Sequence, residues 1–244
     1  MSVRKYGYTF LGRYNILDRG SGNIEHDWYI NKVFKQFGSE ISKVISLGCS
    51  VGINEVLLGI NNPDTYFIAS DIDSDAICVA NSGVWNLDDI RPSGFALASI
   101  DEKLQELYEY FCPKEYFKID FQRGTLKLLR SVPNVKFQEI DAKNTELDDD
   151  SFDMVITHML GGENCFPYDQ SYVKLGNEIK RILKPEGFFW NETGLFKKRN
   201  DTDSSQFYRI LKKKDTYEME SSPTSIEYLF PGSFKIHDKM ICIR

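Results

Sequence analysis

Lys43-Val-Ile-Ser-Leu-Gly48-Cys-Ser-Val-Gly52-Ile-Asn-Glu-Val-Leu-Leu58 is the stretch whose reading decides the fold. Val44, Ile45 and Leu47 form a short apolar run rich in β-branched residues, Gly48 to Gly52 a small-residue turn, and Ile53 to Ile60 a run with apolar residues at helical spacing. Strand, glycine turn and helix in that order make a nucleotide-holding arrangement. Glycines at 48 and 52 let the backbone approach a ligand, and the helix start offers N–H groups that no earlier turn can pair.

Working outward, Glu25 to Phe37 carries Trp28 or Tyr29, Val33, Phe34 and Phe37 at helical spacing, with Gly38 as its stop. Residues 1 to 24 have no clear period, but Tyr6, Tyr8, Phe10 and Tyr14 suit a segment that packs against the domain, so 1–40 reads as an N-terminal cap segment. On the other side, Asn61-Asn62-Pro63-Asp64 is a turn and Thr65 to Ala69 a second strand ending in Ser70-Asp71-Ile72-Asp73. Ser74 is placed to cap a helix running through Ala80, and Gly83 to close it. Strand, helix, strand, helix predicts a parallel sheet with right-handed crossovers.

Between Val84 and Val132 that rhythm breaks. Ser99-Ile-Asp-Glu102 is a capping box ahead of Leu104, Leu107, Tyr108 and Phe111, and Tyr116 to Leu129 suits a short hairpin around Gly124. The segment is longer than an ordinary crossover and reads as an insertion, 84–132, either a lid or a substrate-facing element. Strands resume at Asn134 to Asp141 and at Phe152 to Thr157. A helix then carries Tyr172, Leu175, Ile179 and Ile182, Lys184 to Gly187 is a tight turn, and Phe188 to Trp190 a fifth strand. Lys197 to Asp203 reads as a charged loop, and Ile226 to Phe230 with Met240 to Ile243 as a closing antiparallel hairpin around Pro231-Gly232.

Length and composition agree with one α/β domain over 1–244: 244 residues, 41% hydrophobic and 14% aromatic, are enough for a full core. A net charge of −6 does not attract nucleic acid or an anionic membrane, and no stretch reaches the roughly 20 apolar residues of a membrane span. Five scattered cysteines without a C-x-x-C pair suit reduced thiols in a cytoplasmic protein and exclude a zinc-type metal site. The expectation is therefore no nucleic acid, no membrane and no metal, with oligomeric state open.

The nucleotide is narrowed by what is missing. A dinucleotide turn needs G-x-G-x-x-G, and a phosphate loop needs a Lys after its last glycine; Gly48-Cys49-Ser50-Val51-Gly52 supplies neither. Asp71 stands 23 residues after Gly48 at the end of the second strand, where a carboxylate can accept both hydroxyls of a ribose. A ligand with a ribose and no pyrophosphate is favoured.

Leu47-Gly-Cys-Ser-Val-Gly52, Ala69-Ser-Asp-Ile-Asp73, Gln138-Glu-Ile-Asp-Ala142, Ser151-Phe-Asp-Met-Val-Ile156 and Leu183-Lys-Pro-Glu-Gly187 resemble, in order, the motifs of class I S-adenosylmethionine-dependent methyltransferases. Within that class the G-C-S-x-G turn, the S-D-I-D strand end, Ser46 and the long segment before the third strand are similar to the catalytic domain of chemotaxis receptor glutamate methyltransferases. That family usually continues with G-E-E-P-Y-S, where this chain has Gly52-Ile-Asn-Glu-Val-Leu, and no room precedes residue 40 for its docking domain. Kinship is expected in the catalytic fold and not in a chemoreceptor substrate.

The resemblance implies a doubly wound, mostly parallel, Rossmann-like seven-stranded sheet and S-adenosylmethionine as cofactor. Gly48, Cys49, Ser50 and Gly52 would line its methionine and ribose side, Asp71 would hold the ribose, and Ile72 would pack on the adenine. Asp141 and Ala142 would stand at the adenine edge, and Thr157, His158 and Met159 would face the methionine and the acceptor. Among catalytic candidates His158 is best placed, with Glu163 and Tyr168 behind it. No residue pattern supplies a convincing base, which agrees with a carboxylate acceptor on a small molecule or protein, already ionised near neutral pH. A cofactor-binding module without catalysis is the alternative reading.

Overall fold

The computed structural model describes residues 29–87, 112–157, 170–191, 194–201, 204–212 and 234–235, with side chains described for 33–87, 112–157 and 172–190. Strand β1 (Lys43–Leu47) is an interior strand of the main sheet. It pairs in parallel with β2 (Tyr66–Asp71), from Lys43 opposite Tyr66 to Leu47 opposite Ser70. On its other side it pairs in parallel with a strand over Phe152–Thr157, from Val44 opposite Met154 to Leu47 opposite Thr157. Both faces of β1 are covered, which is why its sequence is a continuous apolar run and not an alternation. Val44 packs on one side with Val33, Phe34, Val56 and Leu57. Ile45 and Leu47 pack on the other with Tyr172, Leu175, Ile179 and Ile182.

The layers come from helices α1 (Tyr29–Phe37), α2 (Ile53–Asn61), α3 (Ser74–Ser82) and α4 (Gln170–Ile182). The remaining strands in chain order are β3 (Val84–Asn86), β4 (Phe117–Asp120), β5 (Thr125–Leu128), β6 (Val135–Glu139), β7 (Phe152–Thr157), β8 (Leu183–Asn191), β9 (Gly194–Asp201), β10 (Ser204–Lys212) and β11 (Phe234–Lys235). The main sheet runs β11-β10-β9-β8-β7-β1-β2-β6. From β1 the chain builds outward through β2 and β6, then returns to β7 and builds the other way through β8. The sheet reverses its winding between β1 and β7, the crevice where doubly wound sheets hold ligands.

Several expectations need correction. The described main sheet has eight strands, not seven. The antiparallel part is β8-β9-β10, and β9 takes up most of the Lys197 to Asp203 segment read as a charged loop. Charged residues are compatible with a strand that has one solvated face, so the Lys-Lys-Arg run alone does not specify a loop. The hairpin expected over 226–230 and 240–243 lies outside the described residues. The Lys184 to Gly187 turn is a bulge inside β8: the pairing jumps from Phe152 opposite Leu183 to Met154 opposite Phe188, and Glu186 takes φ +61°. Helix α3 is capped by Asp73, whose carboxylate accepts from the N–H groups of Asp75 and Ala76 at 2.8 and 3.1 Å, and Ser74 is its first residue. Gly83 closes that helix at φ +62° as expected.

The hairpin expected over Tyr116 to Leu129 is present as β4 and β5, and β3 adds a third strand, making a small antiparallel sheet ordered β3-β5-β4. Its buried residues Trp85, Phe117 and Leu126 join the cluster beneath α2, so the insertion is continuous with the main core. Residues 1–28 of the cap segment and the capping-box helix expected after Ser99 lie outside the described residues.

Two carboxylates brace the sheet. Asp153, at the start of β7, accepts from the Ser42 and Lys43 N–H groups at 3.0 and 2.8 Å, from the Ser42 hydroxyl at 2.7 Å and from Lys184 at 2.7 Å. Glu178 on α4 accepts from the Thr145 N–H and hydroxyl at 2.8 and 2.6 Å and from two nitrogens of Arg181, which also reaches Asp149 and the Leu147 carbonyl. Burial pushes the Glu178 carboxyl up, but the Arg181 guanidinium and the Thr145 donors outweigh it and hold it at about 2. The folded-state value lies below the unfolded one, about 4.3. The resulting stability is therefore fully present above pH 4.3 and lost as pH falls toward 2. Glu178→Gln is expected to cost about 2 kcal/mol at pH 7 in urea unfolding, with the gap to wild type closing progressively below about pH 4. Gly52→Ala is expected to cost about 2 kcal/mol by the same measurement. Gly52 has φ +71°, and an added Cβ would overlap the Phe137 ring.

Candidate active site

Because β6, β2, β1 and β7 are parallel neighbours, their carboxyl ends meet along one edge, bringing the turns after Leu47, Asp71, Glu139 and Thr157 together. The turn after β1 is held by the end of β2. The Gly48 and Cys49 N–H groups both donate to the Ser70 carbonyl at 2.8 Å, and the Ser50 N–H donates to the Asp71 carboxylate at 2.8 Å. The Gly52 N–H closes the turn on the Cys49 carbonyl at 3.0 Å. Gly48, Ser50 and Gly52 all take positive φ, at +78°, +53° and +71°. Ser50 is the costly member, since a residue with a Cβ is disfavoured there, and the bond to Asp71 offsets that cost.

Asp71 is half-buried and uses one oxygen for the Ser50 N–H and the other for the Asp73 N–H, at 2.8 and 3.0 Å. Each carboxylate oxygen can take more than one donor, so both retain capacity for a pair of ligand hydroxyls. Ile72 beside it is 64% exposed, an apolar surface next to a carboxylate. The Asp71 carbonyl accepts from the Ile140 N–H at 3.0 Å, which brings the Asp141 turn alongside; the Asp141 carboxylate accepts from the Lys143 N–H at 2.9 Å.

The other residues expected here divide. Cys49 is buried against Ala69 and Ile77, a packing residue of the turn. Ala142 is buried with Ile45 and Ile68, and the Thr157 hydroxyl lies 3.4 Å from the Trp190 carbonyl. His158, Met159, Glu163 and Tyr168 lie outside the described residues.

Four residues that sequence reasoning did not assign to the site stand around the turn. Glu55, fully buried in the first turn of α2, accepts from the Ser46 hydroxyl at 2.7 Å, placing a carboxylate beneath the turn. Asn54, 5% exposed, has a buried side-chain oxygen that accepts no hydrogen bond. The ring of Phe137 covers Gly52, and the Trp85 indole N–H donates to the Val51 carbonyl at 2.7 Å. These contacts join segments far apart in the chain, so spacing carries no signal for them. The Ser46 and Glu55 pair, nine residues apart, could have been found from a polar residue on each side of the turn.

The donor set fits S-adenosylmethionine. A half-buried carboxylate with spare acceptor capacity suits the ribose diol, the exposed Ile72 suits a flat base, and the buried Asn54 oxygen suits a donor such as the ammonium of an amino-acid tail.

Residues 98–191 match the family described as "Methyltransferase domain". The match begins beyond Asp71 and leaves the glycine turn outside it. The chain is 30% identical over 80 residues to a phthiotriol/phenolphthiotriol dimycocerosates methyltransferase of Mycobacterium tuberculosis, covering 32% of this chain and 28% of that protein. Its Mycobacterium ulcerans counterpart is 29% identical over 79 residues, covering 31% and 27%. The chain thus spans under a third of the curated relatives it matches. Among solved structures, a SAM dependent methyltransferase from Aquifex aeolicus aligns at 17% identity and a TM-score of 0.37, over 65% of this chain and 60% of that one. An arsenic (III) S-adenosylmethionine methyltransferase from Chlamydomonas reinhardtii aligns at 18% and 0.36, over 62% and 37%. Residues 98–191 thus resemble a methyltransferase domain, over less than half of the chain.

Proposed function

We propose that this chain is a single-domain methyltransferase that binds S-adenosylmethionine across the carboxyl ends of β1, β2, β6 and β7 and transfers the methyl group to a small-molecule or protein acceptor. The observation that carries this reading is the joint between Asp71 and the glycine turn. One carboxylate fixes the Ser50 N–H and the Asp73 N–H and keeps acceptor capacity toward the crevice. In this reading Asp71 holds the ribose hydroxyls, Ile72 lies against the adenine with Asp141 and Ala142 at its edge, and Gly48 to Gly52 lie along the ribose and methionine. Thr157, His158 and Met159 line the side toward the acceptor.

When bound, the cofactor supplies a methyl group already activated by its sulfonium. What remains for the chain is alignment and exclusion of water. The turn contributes rigidity, since its backbone is bonded at Gly48, Cys49, Ser50 and Gly52 before any ligand arrives. The insertion 84–132 and the cap segment 1–40 shape the acceptor pocket. His158 is the proposed base where the acceptor needs one, with Glu163 and Tyr168 behind it; a carboxylate acceptor needs none. The turn and strand-end motifs support kinship with the catalytic domain of the chemotaxis receptor glutamate methyltransferases, without their substrate. The mycobacterial relatives, named for phthiotriol and phenolphthiotriol dimycocerosates, favour including such compounds among the acceptors tested. The scattered cysteines support a cytoplasmic setting, and the acidic net charge a protein that does not bind nucleic acid.

Calorimetric titration tests the reading. Wild type is expected to bind S-adenosylmethionine and its demethylated product, and Asp71→Ala to weaken both by about 100-fold, the worth of two charge-assisted bonds. No binding of either ligand by wild type would sink it. Binding without turnover across carboxylate, phenol, amine and lipid acceptors would favour the alternative of a non-catalytic binding module.

A further inference from the structure

Two of the three residues between Cys49 and Ile53 have left-handed backbone, and the peptide joining Val51 to Gly52 lies in that stretch. Rotating that peptide changes ψ of Val51 and φ of Gly52, and glycine tolerates φ of either sign. The turn therefore has a freedom that something must remove, because the same peptide carries an N–H and a carbonyl next to the crevice. Its N–H is engaged by the Cys49 carbonyl at 3.0 Å. Its carbonyl is engaged by the Trp85 indole at 2.7 Å, across 34 residues of sequence.

Trp85 comes from outside the doubly wound sheet. It sits on β3 of the inserted small sheet, opposite Leu126 on β5, with its ring centroid 6.1 Å from that of Phe117 on β4. Backbone bonds from Leu87 to the Gly124 carbonyl and from Leu128 to the Gly83 carbonyl, 2.8 and 2.7 Å, hold β3 at both ends. Trp85 is 1% exposed and Val51 6% exposed, so water has no ready access to replace a missing donor. The Phe137 ring lies against Gly52. The peptide is thus contacted by a donor from the insertion and by a ring from β6.

We infer that Trp85 is a positioning residue for the cofactor turn, its indole N–H fixing the Val51 carbonyl so that the inserted sheet sets the shape of the site that receives S-adenosylmethionine. This rests on the function proposed above. It gives the insertion a part in donor binding, separate from any contact with the acceptor. Loss of that donor, and not loosening of the sheet around it, is what reaches the cofactor turn.

The test replaces Trp85 with β-(3-benzothienyl)alanine, which keeps the ring size and lacks only the N–H, alongside Trp85→Phe and Phe117→Leu. Phe117→Leu loosens the small sheet and leaves the N–H in place. Affinity for the demethylated cofactor product is measured by calorimetry, and amide exchange of residues 49–53 in the ligand-free protein by mass spectrometry. Both Trp85 replacements are expected to bind about tenfold more weakly and to exchange faster over 49–53. Phe117→Leu is expected to unfold at lower temperature and to stay within about twofold of wild-type affinity. An isostere that binds as tightly as wild type overturns the inference, as does a Phe117→Leu variant that weakens binding as much as the isostere. Wild type that binds no cofactor overturns the proposed function itself, a different result from wild-type binding that the isostere leaves unchanged.

Discussion

The Asp71 carboxylate joining the Ser50 N–H to the Asp73 N–H is the interaction on which the rest of the site depends. It ties the turn after β1 to the end of β2, holds a serine in left-handed backbone, and stands one residue from the exposed Ile72. Asp73 continues the chain of support by capping α3. A single strand end therefore organises two turns and a helix start. Side chains held by such secondary bonds are the kind that keep catalytic geometry without help from the ligand.

Much of this architecture was legible in the chain. Strand β7 follows from Phe152 to Thr157 with no adjustment, because an apolar run covered on both faces has no alternation to misread. β1, α2 and β2 follow from the β-branched run, the glycine turn and the helical spacing. Asp71 was expected to hold a ribose from its distance after Gly48, and what the structure adds is a bond from the same carboxylate to the turn.

What escaped the sequence escaped for physical reasons. β3 is three residues long and exists because Val84 to Asn86 pair with Thr125 to Lys127, a partner no local pattern reveals. β9 is obscured by its Lys-Lys-Arg run, and its strand state comes from pairing with β8 and β10. Gly52 was read as room for a ligand; its lack of a side chain is also demanded by Phe137. Nothing in the local pattern around Trp85 signals that its indole donates to the Val51 carbonyl, 34 residues away.

Two buried residues beside the strands of the small sheet decide how firmly it is tied to the core. Leu87 and Cys112 are both buried in the same cluster as α2, at 0% and 3% exposure, and burial pushes the Cys112 thiol up to about 12, leaving it a chemically quiet anchor. The small sheet is thus moored to the main core by buried residues on two separate stretches of chain, a joint that heat or denaturant opens only together with the core itself.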